Sequence, residues 1–154
     1  CLMPSNTFGP KDKYDKINSH FLPAIIRKIH ALKASKKNEL LLWGNGKAKR
    51  EAIHVDDLAK ACLFLMQNYN EKQFVNVGTG TDITIKNLAL TIKEVVGFEG
   101  ELTFDTSKPN GTPRKIMDVS KINTLGWKHK IELKEGIKMV YEEVKDFDFQ
   151  TIDS

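Results

Sequence analysis

The first ten residues, Cys-Leu-Met-Pro-Ser-Asn-Thr-Phe-Gly-Pro, constrain the fold more than any other stretch. An apolar Cys1-Leu2-Met3 run enters a Pro4-Ser5-Asn6-Thr7 corner at once, the pattern of a buried strand feeding a loop. Such a strand needs neighbours to pair with and cover for both faces. The rest of the chain must therefore supply a sheet, or belong to one.

Downstream, short strands alternate with helices. Phe21, Ile25, Ile26, Ile29 and Leu32 recur at helical spacing, and Pro23 is tolerated only in a first turn, so a helix is expected from about Leu22. Residues 39–43 form a short strand that breaks at Gly44-Asn45-Gly46, and 50–55 alternate into another. Asp56 or Asp57 then opens a helix to about Gln67, with Ala59, Cys62, Leu63 and Met66 as its apolar stripe. A strand at 74–77 ends in Gly78-Thr79-Gly80. Thr84 is placed to cap a helix over 85–96 that Gly97 stops. A strand at 101–104, a long loop, a short helix near 119–125 and a closing helix at 133–146 complete the pattern, which is that of an α/β or α+β domain.

With 154 residues, 40% hydrophobic and 29% charged, the chain has the size and composition of one globular domain. No apolar stretch approaches the roughly 18 residues of a membrane span, and no signal-peptide pattern is present. Cys1 and Cys62 form neither a disulfide framework nor a metal-ligand spacing, and a reduced, cytoplasmic setting is expected. Charge is uneven: residues 1–50 carry 11 Lys and Arg against 3 Asp and Glu. That basic front half fits an anionic partner, or simply a solvated Lys-rich helix face.

Single motifs are weak. Gly44-Asn45-Gly46 and Gly78-Thr79-Gly80 complete no dinucleotide or Walker fingerprint, although the second lies between a strand and a helix, where free amides can meet a ligand. Tyr141 and Lys145 have the Tyr-x-x-x-Lys spacing of a cation-activated phenol, but on a Glu-rich last helix they read as coincidence. The four histidines show no metal spacing. His54, on an alternating strand, reads as structural, whereas His20, in a polar Asn18-Ser19 context before a helix, is better placed to donate a proton. Arg50, Arg114 and Lys115 follow flexible loops. If they converge, they could clamp a diphosphate.

Four segments taken together carry more weight. They are PSNTFGP at residue 4, WGNGKAKREAIHVDDLAKA at 43, FVNVGTGTDITIKNLA at 74 and SKPNGTPRKIMDVSKINTLGW at 107. In order and with few gaps, residues 1 to about 146 resemble the C-terminal half of extended short-chain dehydrogenase/epimerases. The Asn18-Ser19-His20 segment and the Lys108-Pro109-x-Gly111-Thr112-Pro113-Arg114-Lys115 loop point to the branch that makes GDP-L-fucose from GDP-4-keto-6-deoxymannose. The resemblance implies an α/β chain: residues 1–10 would end the NADP-binding Rossmann domain, 11–147 would bind a nucleotide-sugar, and 148–154 would be a tail. In the family the Gly-rich cofactor turn, the catalytic Ser, the Tyr-x-x-x-Lys pair and the reactive Cys precede these residues. The chain thus looks like a C-terminal fragment, inactive alone, of a cytoplasmic homodimer that binds neither membrane nor nucleic acid.

Carried over by position, the resemblance implies that Pro4, Ser5, Asn6, Thr7 and His20 border the nicotinamide end of NADP, whose remainder the family holds upstream. His20 would be the acid/base residue of an epimerisation, Trp43 would line the nucleotide pocket, and Arg50 and Lys115 would meet the diphosphate of a GDP-sugar. Lys28 stands where the family commonly has Arg, and Asn110 where it commonly has Asp. The first loses a bidentate fork and the second one of two acceptors. A GDP-heptose or other nucleotide-sugar epimerase or reductase is the near alternative. A basic module binding nucleic acid without chemistry is the remote one, disfavoured because aromatics are not interleaved with the cations.

Overall fold

A computed structural model describes residues 1–15, 18–147 and 149. Of the expected tail at 148–154, Phe149 alone falls among the described residues; it packs against Tyr14 and His30. The opening run forms a strand, β1 (Leu2–Pro4), but not a buried one, since Met3 is 49% exposed, and the expected loop bends at Ser5 into a second strand, β2 (Asn6–Phe8). Helix α1 (Phe21–Ala34) carries Pro23 in its first turn, where no intrahelical donor is lost. Strand β3 (Glu39–Trp43) follows at the expected place, then β4 (Lys49–Arg50), β5 (Ala52–His54) and α2 (Val55–Asn68). The second half contains β6 (Val75–Val77), β7 (Ile83–Thr84), α3 (Ile85–Val96), β8 (Glu101–Asp105), β9 (Arg114–Lys115), α4 (Ser120–Thr124) and α5 (Leu133–Val144).

The first strand finds its partner far along the chain. β1 runs parallel to β6, β2 parallel to β5, and β3 parallel to β8, each pair joined by helical crossovers, so the chain is α/β. A three-stranded sheet in the order β7-β4-β9 pairs β4 antiparallel to β7 and parallel to β9. Two apolar clusters hold these pieces. One joins α1, α3 and α5 to β3, with Ile26, Ile29, Ile92 and Ile137 fully buried. Burying each such side chain is worth about 1.5–3 kcal/mol. The other gathers Ile53, Ala61, Leu65, Val75, Val77, Ile122 and Trp127. The capping of α3 follows the sequence: Thr84 Oγ1 accepts from Asn87 N at 3.1 Å, and Gly97 takes φ +68°.

Two further expectations fail. Residues 50–55 are not one strand. The chain changes partners at Glu51, which is 1% exposed: β4 pairs with β9 and β7, and β5 with β2. The inner face of α2 is not Ala59, Cys62, Leu63 and Met66. Asp57 is 1% exposed and accepts hydrogen bonds from Lys130 N and Ile131 N, so the face carrying Asp57, Ala61 and Leu65 turns inward. Leu63 and Met66 are consequently 60% and 81% exposed.

Candidate functional site

The Ser5 bend lies where β1 and β2 part to different partners, and the corner residues around it open onto two adjoining cavities. Ser5, Asn6, Thr7, His20, Leu22 and Ala52 line the first with their neighbours. Pro4, Ser5, Asn6, Glu51, Lys115 and Met117 line the second. Ser5 and Asn6 belong to both; His20 borders the first cavity and Lys115 the second. Asn6 is fixed by donating from Nδ2 to Glu51 O at 2.7 Å, and Thr7 Oγ1 donates to Ser5 O at 3.3 Å. Ser5 Oγ is buried without a hydrogen-bond partner among the described residues.

His20 precedes α1 with an extended backbone. Its carbonyl accepts from Ala24 N at 3.0 Å, while its side chain makes no capping bond. The imidazole is therefore exposed at the first cavity and not committed to ordering the helix. His54 is the opposite case: 1% exposed, it accepts from Asp56 N through Nδ1 and meets Phe8 edge-on, a structural histidine. Tyr141 lies within 3.3 Å of His30 Nδ1, and burial raises its phenol rather than lowering it. Lys145 bonds Glu142, so this pair is not an activated phenol.

Arg50 and Lys115 are register partners on the parallel strands β4 and β9, which puts both side chains on one face. Arg50 Nη1 donates to Lys49 O and Thr112 O, both at 2.7 Å, and this anchors the guanidinium while its other nitrogens stay available. Arg114 does not join them. It bonds Asp82, whose carboxyl it holds below the usual carboxylate range. Trp43 closes β3 at 66% exposed, with Lys108 Nζ 5.8 Å from its ring centroid. Asn110 reaches across Gly44 and accepts from Asn45 N through Oδ1 at 2.6 Å. Gly44 takes φ +80°, and a Cβ there would stand 2.6 Å from Asn110 Oδ1. The acceptor that Asn and Asp share is thus committed to the turn, leaving Nδ2 as a donor. Lys28 lies apart, in a groove with Arg27, Ala31, Lys37, Glu39 and Leu41, on the strand face that continues to Trp43.

Gly78-Thr79-Gly80 does not offer free amides. Thr79 N and Gly80 N both donate to Glu51 Oε1, at 2.6 and 2.8 Å, and Met117 N donates to Oε2 at 2.7 Å. A Cβ at Gly78 would meet Glu51 Oε1 at 2.2 Å, so glycine is required for that approach. Sequence reasoning missed Glu51. Its signal was an acidic residue directly before the apolar Ala52-Ile53 pair of a strand. Among the described residues no cluster of His, Cys, Asp and Glu could hold a metal ion, and no helix is long and apolar enough to cross a membrane.

Parallel strands with helical crossovers define an α/β fold, with polar and cationic groups where strands bend or part. The NAD dependent epimerase/dehydratase family matches residues 1–78, and the chain belongs to that family. It is 54% identical over 140 residues to a probable GDP-L-fucose synthase 1 of Oryza sativa subsp. japonica, with 91% of this chain and 43% of that protein covered. A GDP-6-OMe-4-keto-L-xylo-heptose reductase from Campylobacter jejuni superposes with TM-score 0.83 at 40% identity, over 94% of this chain and 53% of the other. A GDP-L-fucose synthetase from Naegleria fowleri, also solved with NADP bound, gives TM-score 0.89 at 25% identity, over 97% of this chain and 46% of the other. The chain thus spans about half the length of these relatives.

Proposed function

We propose that these residues form the substrate-binding, C-terminal portion of a cytoplasmic, homodimeric, NADP-dependent GDP-sugar epimerase/reductase. Its product is GDP-L-fucose, made from GDP-4-keto-6-deoxymannose. The observation that carries this reading is the Ser5–Asn6 corner, which lines two cavities, one bordered by His20 and the other by Lys115. The GDP-sugar relatives support the substrate class. Residues 1–10 complete the cofactor domain and 11–147 bind the nucleotide-sugar.

Ser5, which lines both cavities and whose buried Oγ has no hydrogen-bond partner among the described residues, fits a polar nicotinamide or ribose group. Pro4, Asn6 and Thr7 border it, and NADPH when bound supplies the hydride. Arg50 and Lys115 grip the diphosphate. Trp43 offers a flat face to the base, Asn110 a donor, and Lys28 a further cation. His20 moves a proton at the carbon beside the ketone. The similarity to a keto-heptose reductase favours a second reading, the same chemistry class on a GDP-heptose.

Two results are expected. The 154-residue chain alone should not reduce a GDP-4-keto sugar, because the pyrophosphate turn and the activated phenol lie in the part its relatives add, and groups that act as a unit fail together. NADPH consumption by the purified chain would contradict this. In the longer enzyme, Arg50→Ala should weaken GDP-sugar binding about ten- to a hundredfold, as charge-assisted hydrogen bonds contribute roughly 1.5–3 kcal/mol. Unchanged affinity by calorimetry would make Arg50 a plain surface cation.

A further inference from the structure

We propose that Glu51 is a positioning residue for the diphosphate site, a role that rests on the nucleotide-sugar reading above. It sits between β4 and β5, 1% exposed, and every polar group it carries is used. Its carboxylate accepts from Thr79 N, Gly80 N and Met117 N, with Thr79 Oγ1 at 3.3 Å. Its backbone N donates to Lys115 O at 3.2 Å, and its backbone O accepts from Asn6 Nδ2 at 2.7 Å. One residue therefore ties the two segments that border the second cavity, the Ser5 corner and residues 115–117, to each other and to the turn after β6.

The consequence for the cations is direct. Arg50 precedes Glu51, and Lys115 is the register partner of Arg50. Met117, two residues beyond Lys115, is the segment that Glu51 Oε2 clamps. The lateral position of Lys115 against Arg50 is thus set by a carboxylate that touches neither ammonium nor guanidinium. Both side-chain oxygens act as acceptors, one on each side. A glutamine would turn an NH2 toward either Met117 N or the two turn amides, and donors facing each other push apart. Loss of the clamp should let β9 shift, so that the two cations no longer span one diphosphate.

The test is a double-mutant cycle in the longer enzyme that carries this chain, with GDP as ligand and calorimetry as readout. Glu51→Gln should weaken GDP about tenfold or more and raise the sugar-nucleotide KM while kcat changes far less. In a Lys115→Met background the same change should cost about threefold or less, because the cation it positions is already gone. Glu51→Asp, which keeps both oxygens, should recover part of the affinity and gives a second folded variant to score. An equal loss in both backgrounds would show that Glu51 acts only through general stability. Wild-type GDP affinity in folded Glu51→Gln, or failure of both variants to fold, would likewise overturn the role. Failure of the unmutated enzyme to bind GDP would instead bring down the nucleotide-sugar reading itself, and this role with it.

Discussion

Replacing His20 by Gln in the longer enzyme should suppress solvent deuterium uptake at the carbon beside the ketone by about two to four orders of magnitude, the range that acid/base assistance supplies. Epimerisation there needs one group to remove a carbon-bound proton and another to return one from the opposite face. An imidazole can serve either task, because its ring nitrogens both take up and give back a proton. The structure favours this over a helix-ordering role. The bond that His20 contributes to α1 is made by its carbonyl to Ala24 N, which Gln preserves, and its side chain makes no cap. Fold, GDP affinity and NADP affinity should therefore change little. Reduction of the ketone places its proton on oxygen rather than carbon, so hydride transfer to an already epimerised substrate should suffer much less. Wild-type exchange in a folded His20→Gln enzyme would remove His20 from the proposed mechanism.

The residues that were legible in the sequence are those whose neighbours in the chain determine them. Thr84 and Gly97 cap and stop α3 through bonds within four residues, and Pro23 marks a first turn by its own ring. The corner at Pro4 to Thr7 was legible as a strand end, though its partner, β6, is some 70 residues away in the register Leu2 to Val75. The two-residue strands β4, β7 and β9 were not legible, because so short a run carries no period. Their pairing is set by distant groups: Asp82 holds Arg114 and Lys49 from one side, and Glu51 holds Met117 from the other. The same limit applies at the site. Position in the chain shows that Arg50 and Lys115 are cations after loops. Only the parallel register of β4 and β9 shows that they share a face, while Arg114, one residue away, is spent on Asp82.

The adjacent pair Asp56 and Asp57 gives the second large effect, on stability. Both lie in the first turn of α2, where a carboxylate complements the helix dipole, and from sequence the two are interchangeable. In the fold they are not. The Asp56 side chain is 55% exposed, whereas the Asp57 side chain is 1% exposed, with Oδ2 accepting from Lys130 N at 2.8 Å and Ile131 N at 2.7 Å. Asp57 thereby fastens the start of α2 to the segment leading into α5, and sets the rotation that buries Ala61 and Leu65. Asp57→Ala removes the buried carboxylate that accepts from two part-buried amides, each worth about 1.5–3 kcal/mol to a charged partner, so a loss of about 3–5 kcal/mol is expected. At about 2–4 °C per kcal/mol for a chain of this size, the melting midpoint should fall by roughly 10 °C or more. Asp57→Asn keeps one oxygen facing both amides and should recover a good part of that loss. Asp56→Ala forfeits only an exposed charge near the helix start and should cost about 1 kcal/mol or less. Circular dichroism melts of the three variants decide the matter: equal midpoints for Asp56→Ala and Asp57→Ala would mean that the Lys130–Ile131 clamp does not hold α2, and that another contact turns its polar-flanked face inward.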